Sequence, residues 1–124
     1  MSWMNYRDLT VWQKAMDLTD AVYSVLIFLP AEELYALGNQ MRRSAVSVPS
    51  NIAEGRGRQT VKDLKGFLSI ARGSCYELET QLLICLRRGY LTKMQAQKPL
   101  SLCDEVGRML TGMITSDKVE TIRE

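Results

Sequence analysis

The feature that most constrains this chain is an apolar stripe that keeps helical spacing, without a proline, through its middle third. Leu64, Phe67, Leu68, Ala71, Cys75, Leu78, Leu82 and Cys85 recur at three- and four-residue steps, which places them on one side of an α-helix. Thr60-Val61-Lys62-Asp63 just ahead has the composition of an N-terminal cap, in which the threonine hydroxyl accepts from an orphan backbone N–H. Gly89 follows as a stop. The spacing predicts a helix over 61–88, on the order of 40 Å long at about 1.5 Å per residue. A rod of that length cannot bury its stripe alone. It needs neighbours of similar length, and a chain of 124 residues must supply them within one domain, 1–124.

The flanking sequence supplies three. Thr10-Val11-Trp12-Gln13 reads as a capping box, and Trp12, Ala15, Thr19, Val22, Leu26 and Leu29 continue as a helical stripe over about 10–29 until Pro30. Ala31-Glu32-Glu33 then places carboxylates at the positive end of a helix dipole. Leu34, Leu37, Met41, Ala45, Val48 and Ile52 extend that second helix to about 55. Pro49 removes one donor from it and predicts a kink, and Gly55-Arg56-Gly57-Arg58 reads as the closing loop. A fourth helix is expected over about 93–115 on Leu102, Val106, Leu110 and Met113, with Pro99 kinking it or marking its true start. Residues from about Ser116 are expected to fray. No stretch alternates with period two. Four amphipathic helices on short connections predict an all-α, antiparallel up-down-up-down four-helix bundle.

Composition narrows the chemistry. The sequence has no histidine, which removes the commonest general base and metal ligand and every Ser-His or Cys-His nucleophile. Cys75, Cys85 and Cys103 are scattered through helical stripes without a C-x-x-C pair, so they read as small buried hydrophobes. Neither a metal site nor another cofactor is expected, and the chain reads as a non-enzyme. Met1-Ser2-Trp3-Met4-Asn5-Tyr6-Arg7-Asp8 lacks the layout of a signal peptide. No apolar run approaches the roughly 20 residues of a bilayer span, so the cytoplasm is the expected compartment. The net charge of +2 is unevenly spread: residues 40–93 hold ten basic side chains against four acidic ones. A polyanion would be drawn to that middle section.

Two stretches carry a family resemblance. Asp8-Leu9-Thr10-Val11-Trp12-Gln13-Lys14-Ala15 and the run from Gln40 through Arg42, Arg43, Ser47, Pro49 and Asn51 to Gly55 resemble the bacterial four-helix-bundle family. It is also called the 23S rRNA intervening-sequence protein family. Phe67-Leu68-Ser69-Ile70-Ala71-Arg72-Gly73-Ser74 and Tyr76-Glu77-Leu78-Glu79 continue the similarity, which covers nearly the whole chain. The resemblance implies a bundle that assembles into a ring-like homopentamer. It also implies kinship with the accessory variability proteins of diversity-generating retroelements, which bind a reverse transcriptase and nucleic acid. It supplies no catalytic residues, and the family name records a genomic location rather than an RNA ligand.

A helical wheel at about 100° per residue sorts the remaining polar residues into rows. Gln40, Ser47, Asn51, Glu54 and Arg58 fall within about 60° of one another beside the second stripe, suiting a hydrogen-bonded seam between helices or between subunits. On the third helix Lys62, Lys65, Arg72, Tyr76 and Arg87 form a basic row with one aromatic, opposite the core. Arg42, Arg43, Arg56, Arg58 and Arg88 add charge nearby, although Arg42 and Arg43 point about 100° apart. Gly66, Ile70, Gly73 and Ile84 lie between the basic row and the core. Glycine there costs a helix roughly 1 kcal/mol, so this row predicts a close contact within the bundle or across an oligomer interface. Lysines and arginines also solvate any exposed helix. Two function classes therefore stand: a ring-forming protein that binds RNA or DNA or a nucleic-acid enzyme, and a protein-binding scaffold whose charges serve solubility.

Overall fold

The computed structural model describes residues 5–116. A single 3-10 turn, Tyr6–Asp8, leads into α1 (Thr10–Leu26), a one-turn α2 (Ala31–Leu34), α3 (Leu37–Arg56), α4 (Val61–Arg87) and α5 (Lys93–Thr115). The described residues contain no strand. The fraying expected beyond Ser116 lies outside the described residues.

The four long helices form a closed square in which α3 and α5 each lie between α1 and α4. Side-chain pairings fix the directions. Met41 meets Cys85, Ser47 meets Ser74, and Gly55 lies against Leu64 and Phe67, so numbering rises along α3 as it falls along α4. Arg72 reaches Thr111, Thr19 reaches Ala45 and Lys14 reaches Glu105. Neighbours around the square run antiparallel, as the short connections require. Their stripes meet in one core, with Leu18, Met41, Ile52, Leu64, Leu68, Leu78, Leu82 and Leu110 fully buried.

Several local expectations change. Thr10 is the first helical residue and not a cap; Leu9, buried in the core, takes the entry position without a side-chain hydrogen bond. Gln13 Nε2 donates instead to the Arg7 carbonyl at 2.9 Å. α1 stops at Leu26 because its last turn tightens, Phe28 N–H donating to Val25 and Leu29 N–H to Leu26. The second helix is broken. Ala36 takes φ −109°, ψ −89° between α2 and α3, and the Arg42 guanidinium holds the break by donating to the Leu34 carbonyl (3.2 Å) and to Asn39 Oδ1 (2.8 Å).

Pro49 and Pro99 both lie inside helices and both are buried. Pro49 cannot donate to the Ala45 carbonyl; the Thr19 hydroxyl of α1 lies 3.2 Å from that oxygen while donating to its own Ala15 carbonyl at 2.9 Å. Pro99 is not the start of α5. Thr92 caps that helix through a full capping box with Gln95, the arrangement Thr60 reaches only by its one bond to Asp63 N–H. Gly89, at φ +75°, ends α4 with Tyr90 N–H on the Cys85 carbonyl.

Gly55 belongs to α3 rather than to a loop, and it is buried. A Cβ there would lie 2.9 Å from Phe67 Cβ and 3.2 Å from Leu64, so α4 crosses α3 at a position where a side chain is absent. Gly66 and Gly73 differ: a Cβ at either would meet nothing within 4 Å. No close contact among the described residues explains that pair.

All three thiols are buried and free. Burial, helped by the charge of Glu79, pushes the Cys75 thiol up to about 12, and burial with Glu33 pushes Cys85 to about 11. Burial first, then Cys75 and Glu79, also raises Cys103. Cys85 donates to Met41 Sδ at 3.8 Å. These thiols stay protonated at neutral pH and are poor nucleophiles.

Two outcomes are expected. Gly55→Ala should destabilise the protein by about 1–3 kcal/mol through overpacking, whereas Gly112→Ala, with open space around it, should be neutral or stabilising by up to about 1 kcal/mol; urea titrations measure both. The raised thiols favour the folded state only while unfolded cysteine holds its proton. Stability should therefore be level below pH 9.0, the ordinary thiol value, and fall as pH rises toward about 12. In Cys75→Ala that alkaline decline, followed by urea denaturation at several pH values, should be shallower.

Candidate functional site

The outward surface of α4 collects most of the residues singled out in the sequence. Viewed down the helix, its side toward α3 carries Ser74 and Gln81, its side toward α5 carries Cys75 and Glu79, and the solvent side lies between. Lys62, Lys65, Tyr76 and Arg87 occupy the solvent side. From Lys62 to Arg87 the strip is about 38 Å long at the helical rise.

Ion pairs involve other residues. Lys14 pairs with Glu105, Arg58 with Glu54 and Arg108 with Asp104. Among the described residues, Lys62, Lys65, Arg87 and Arg88 make no ion pair or side-chain hydrogen bond, and Arg43 on α3 makes none either. Arg72 donates to Thr111 Oγ1 at 3.3 Å, tying α4 to α5 while half-exposed. Tyr76, 54% exposed, edges a groove of about 300 Å³ between α4 and α5 whose lining includes Glu79, Asp104, Gly107 and Arg108.

Other predicted cations have structural work. Arg42 is spent on the break between α2 and α3 and belongs to no outward patch. Arg58 is held by Glu54 at 2.9 Å and lies over the Phe67 ring at 4.6 Å, covering the α3–α4 crossing. Arg56 is half-buried at the end of α3.

The polar row of α3 is divided. Ser47 Oγ and Ser74 Oγ share a hydrogen bond of 2.7 Å across the two helices, and Asn51 Nδ2 donates to Ser47 Oγ (3.0 Å) and to the Ser47 carbonyl (2.8 Å). Glu54 turns to Arg58, and Gln40 stays exposed at the rim. The Gly66, Ile70, Gly73, Ile84 row lies on the outward side of α4 next to this seam. Ile70 is 52% and Ile84 41% exposed, so an apolar strip borders the polar one.

Sequence reasoning missed the floor of this seam. Ser44, Ser74 and Gln81 are buried polar residues between α3 and α4. The signal was present: Ser74 and Gln81 are seven residues apart, each directly before a core residue, Cys75 and Leu82. They share one helix face that hydrophobic counting passes over.

A likeness to known proteins accompanies this geometry. The chain superposes on the 1.70 Å crystal structure of a protein of unknown function from the S23 ribosomal protein family of Bacteroides thetaiotaomicron VPI-5482, with a TM-score of 0.80. The two are 24% identical, and the match covers 86% of this chain and 100% of the other; at that identity it establishes the fold. No curated protein matches the sequence. The sequence profile described as 23S rRNA-intervening sequence protein matches residues 7–112. With the bundle and nearly the full chain in agreement, the chain belongs to the 23S rRNA-intervening sequence protein family.

Proposed function

We propose that the protein is a non-catalytic, self-assembling module that binds nucleic acid through the outward face of α4. The observation that carries this reading is the set of cations without carboxylate partners among the described residues, Lys62, Lys65 and Arg87 along α4 with Arg88 at its C-terminal cap. Partnered surface charges are locally neutralised; these are left for phosphates. Nothing in the seam behaves as a catalytic group, since Ser47 is held by Ser74 and Asn51 and has no base beside it.

Assembly multiplies the effect. The exposed Ile70 and Ile84 flank glycines that none of the described residues approaches, which favours a neighbouring subunit packed against that strip. A closed ring, with five subunits favoured by the family resemblance, would repeat the cationic strip around its surface and turn weak contacts into avidity.

A second reading, a protein-binding scaffold without nucleic-acid binding, draws on one end of the bundle. Ile27, Tyr35 and Met94 are 79%, 78% and 85% exposed, with Tyr23 and Phe28 beside them. The antiparallel register brings the end of α1 and the start of α5 to the same end, making an apolar cluster of the kind that marks contact surfaces.

Fluorescence anisotropy with labelled single- and double-stranded oligonucleotides across a salt series tests the nucleic-acid reading. Affinity should fall steeply with salt, and replacing Lys62, Lys65 and Arg87 together by glutamine should lower the log–log slope by about two to three. No binding at low salt would leave the scaffold reading in its place. For assembly, light scattering should give a mass several times 14.1 kDa, and Gly73→Leu should shift it toward monomer by overpacking the interface. A wild-type monomer at micromolar concentration would refute the ring.

A further inference from the structure

Beside the cationic strip, a groove of about 370 Å³ runs between α3 and α4, with Gln40, Arg43 and Ser44 on one wall and Ser74, Glu77 and Gln81 on the other. Its floor is polar. Ser47 and Ser74 satisfy each other, but Gln81 does not fit that pattern. The residue is 8% exposed, and its Oε1 is buried without a hydrogen-bond partner among the described residues. An unmatched buried acceptor destabilises a fold, and Leu78 and Leu82 on either side show what an apolar choice would look like. A group left in that state points to a donor that arrives from outside.

The rim narrows what the donor belongs to. Glu77 is one helical turn before Gln81 and therefore on the same face of α4. Among the described residues it makes no ion pair or side-chain hydrogen bond, and neither does Arg43 across the groove. The groove thus has two oxygen acceptors a turn apart, the Glu77 carboxylate at its rim and Gln81 Oε1 sunk beneath until the amide turns outward, with one guanidinium opposite them. The volume lies at the lower end of the range for small-ligand pockets, roughly 300–1,000 Å³, enough for one nucleotide and too small for a duplex.

We propose that this groove holds one unstacked nucleobase bearing an exocyclic amine, taken from a single strand that lies along α4; the proposal rests on the nucleic-acid reading above. The two amine hydrogens match the two acceptors, one going to Gln81 Oε1 and the other to the Glu77 carboxylate. Gln81 Nε2 donates to the ring nitrogen beside the amine, completing the paired contact by which amide side chains read base edges. Arg43 meets the phosphate of the same nucleotide. Uracil places a carbonyl where cytosine has its amine, setting oxygen against the Glu77 carboxylate, while the Gln81 amide, which can turn to pair with either base, serves to dock the base in the groove. Reading splayed-out bases by their edges is how single-stranded RNA is generally distinguished.

The test compares short oligocytidylate and oligouridylate of equal length by anisotropy with the full chain. Their backbones carry the same charge, so the electrostatic part of binding cancels in the ratio. Oligocytidylate should bind tighter by roughly fivefold or more. Gln81→Leu, and separately the exposed Glu77→Gln, should bring that ratio close to one, with circular dichroism confirming intact helices. A ratio of one in the wild-type protein, with salt-dependent binding preserved, overturns the base site and leaves the cationic surface standing. Absence of binding to either strand overturns both. A change of oligomer mass in Gln81→Leu with an unaltered ratio assigns the groove to a subunit contact and overturns the proposal as well.

Discussion

The antiparallel contact between α3 and α4 is the constraint to which the rest of the bundle is referred. At one end it is set by the missing side chain of Gly55, which lets Leu64 and Phe67 close on the backbone of α3. At its middle the Ser47–Ser74 hydrogen bond fixes rotation and register. At the other end Cys85 meets Met41. Fully burying Met41, Ile52, Leu64, Leu68, Leu78 or Leu82 contributes about 1.5–3 kcal/mol each. Apolar burial alone would tolerate small rotations of one helix against the other; the serine pair would not. With that rotation fixed, α4 must turn its lysines outward and its buried glutamine toward α3. The surface chemistry is thus a consequence of the packing.

The same economy appears where a helix interior contains a proline. Pro49 removes the N–H that Ala45 would otherwise receive, and the vacancy faces α1 rather than solvent. Thr19, itself in a helix interior and already bonded to its own backbone, reaches that oxygen. A defect in one helix thereby becomes a specific contact to another. Arg42 works similarly at the break between α2 and α3, where its guanidinium satisfies a carbonyl left over at the end of α2.

The helices themselves were legible because an apolar stripe at helical period needs no tertiary context. Thr60 and Gly89 read correctly for the same reason: capping and left-handed turns are local. The break at Ala36 was not legible. Tyr35-Ala36-Leu37-Gly38 contains no proline, and Leu34, Leu37 and Met41 keep helical spacing straight through it; what holds it is a side chain six residues farther on. Gly55 failed differently, since its neighbours Arg56 and Gly57 have loop composition, and only the approach of α4 shows why glycine is needed there. At the candidate site the basic row was readable on a wheel, but the wheel could not tell Lys62, which has no ion-pair or side-chain hydrogen-bond partner among the described residues, from Arg42, which ties the backbone. Gln81 was passed over because it lies in phase with the core. The Thr92 capping box was present as Thr-x-x-Gln, and Pro99 drew attention away from it.

The place of α1 between α3 and α5 carries a consequence for the order in which the structure can form. The α3–α4 and α4–α5 pairs join segments adjacent in sequence, so their loops are short and close quickly. α1 instead needs α3 on one side and α5 on the other, and α5 is the last of the four bundle helices to be synthesised. During translation, at about 5–20 residues per second, the first helix made has one flank of its apolar stripe waiting for the last. Val11, Leu18 and Val25, buried in the finished bundle, are therefore on display for seconds in the nascent chain. Completion of the bundle waits until α5 has been made, and a ribosome stalled before α5 would hold packed helices with a sticky, unmet face.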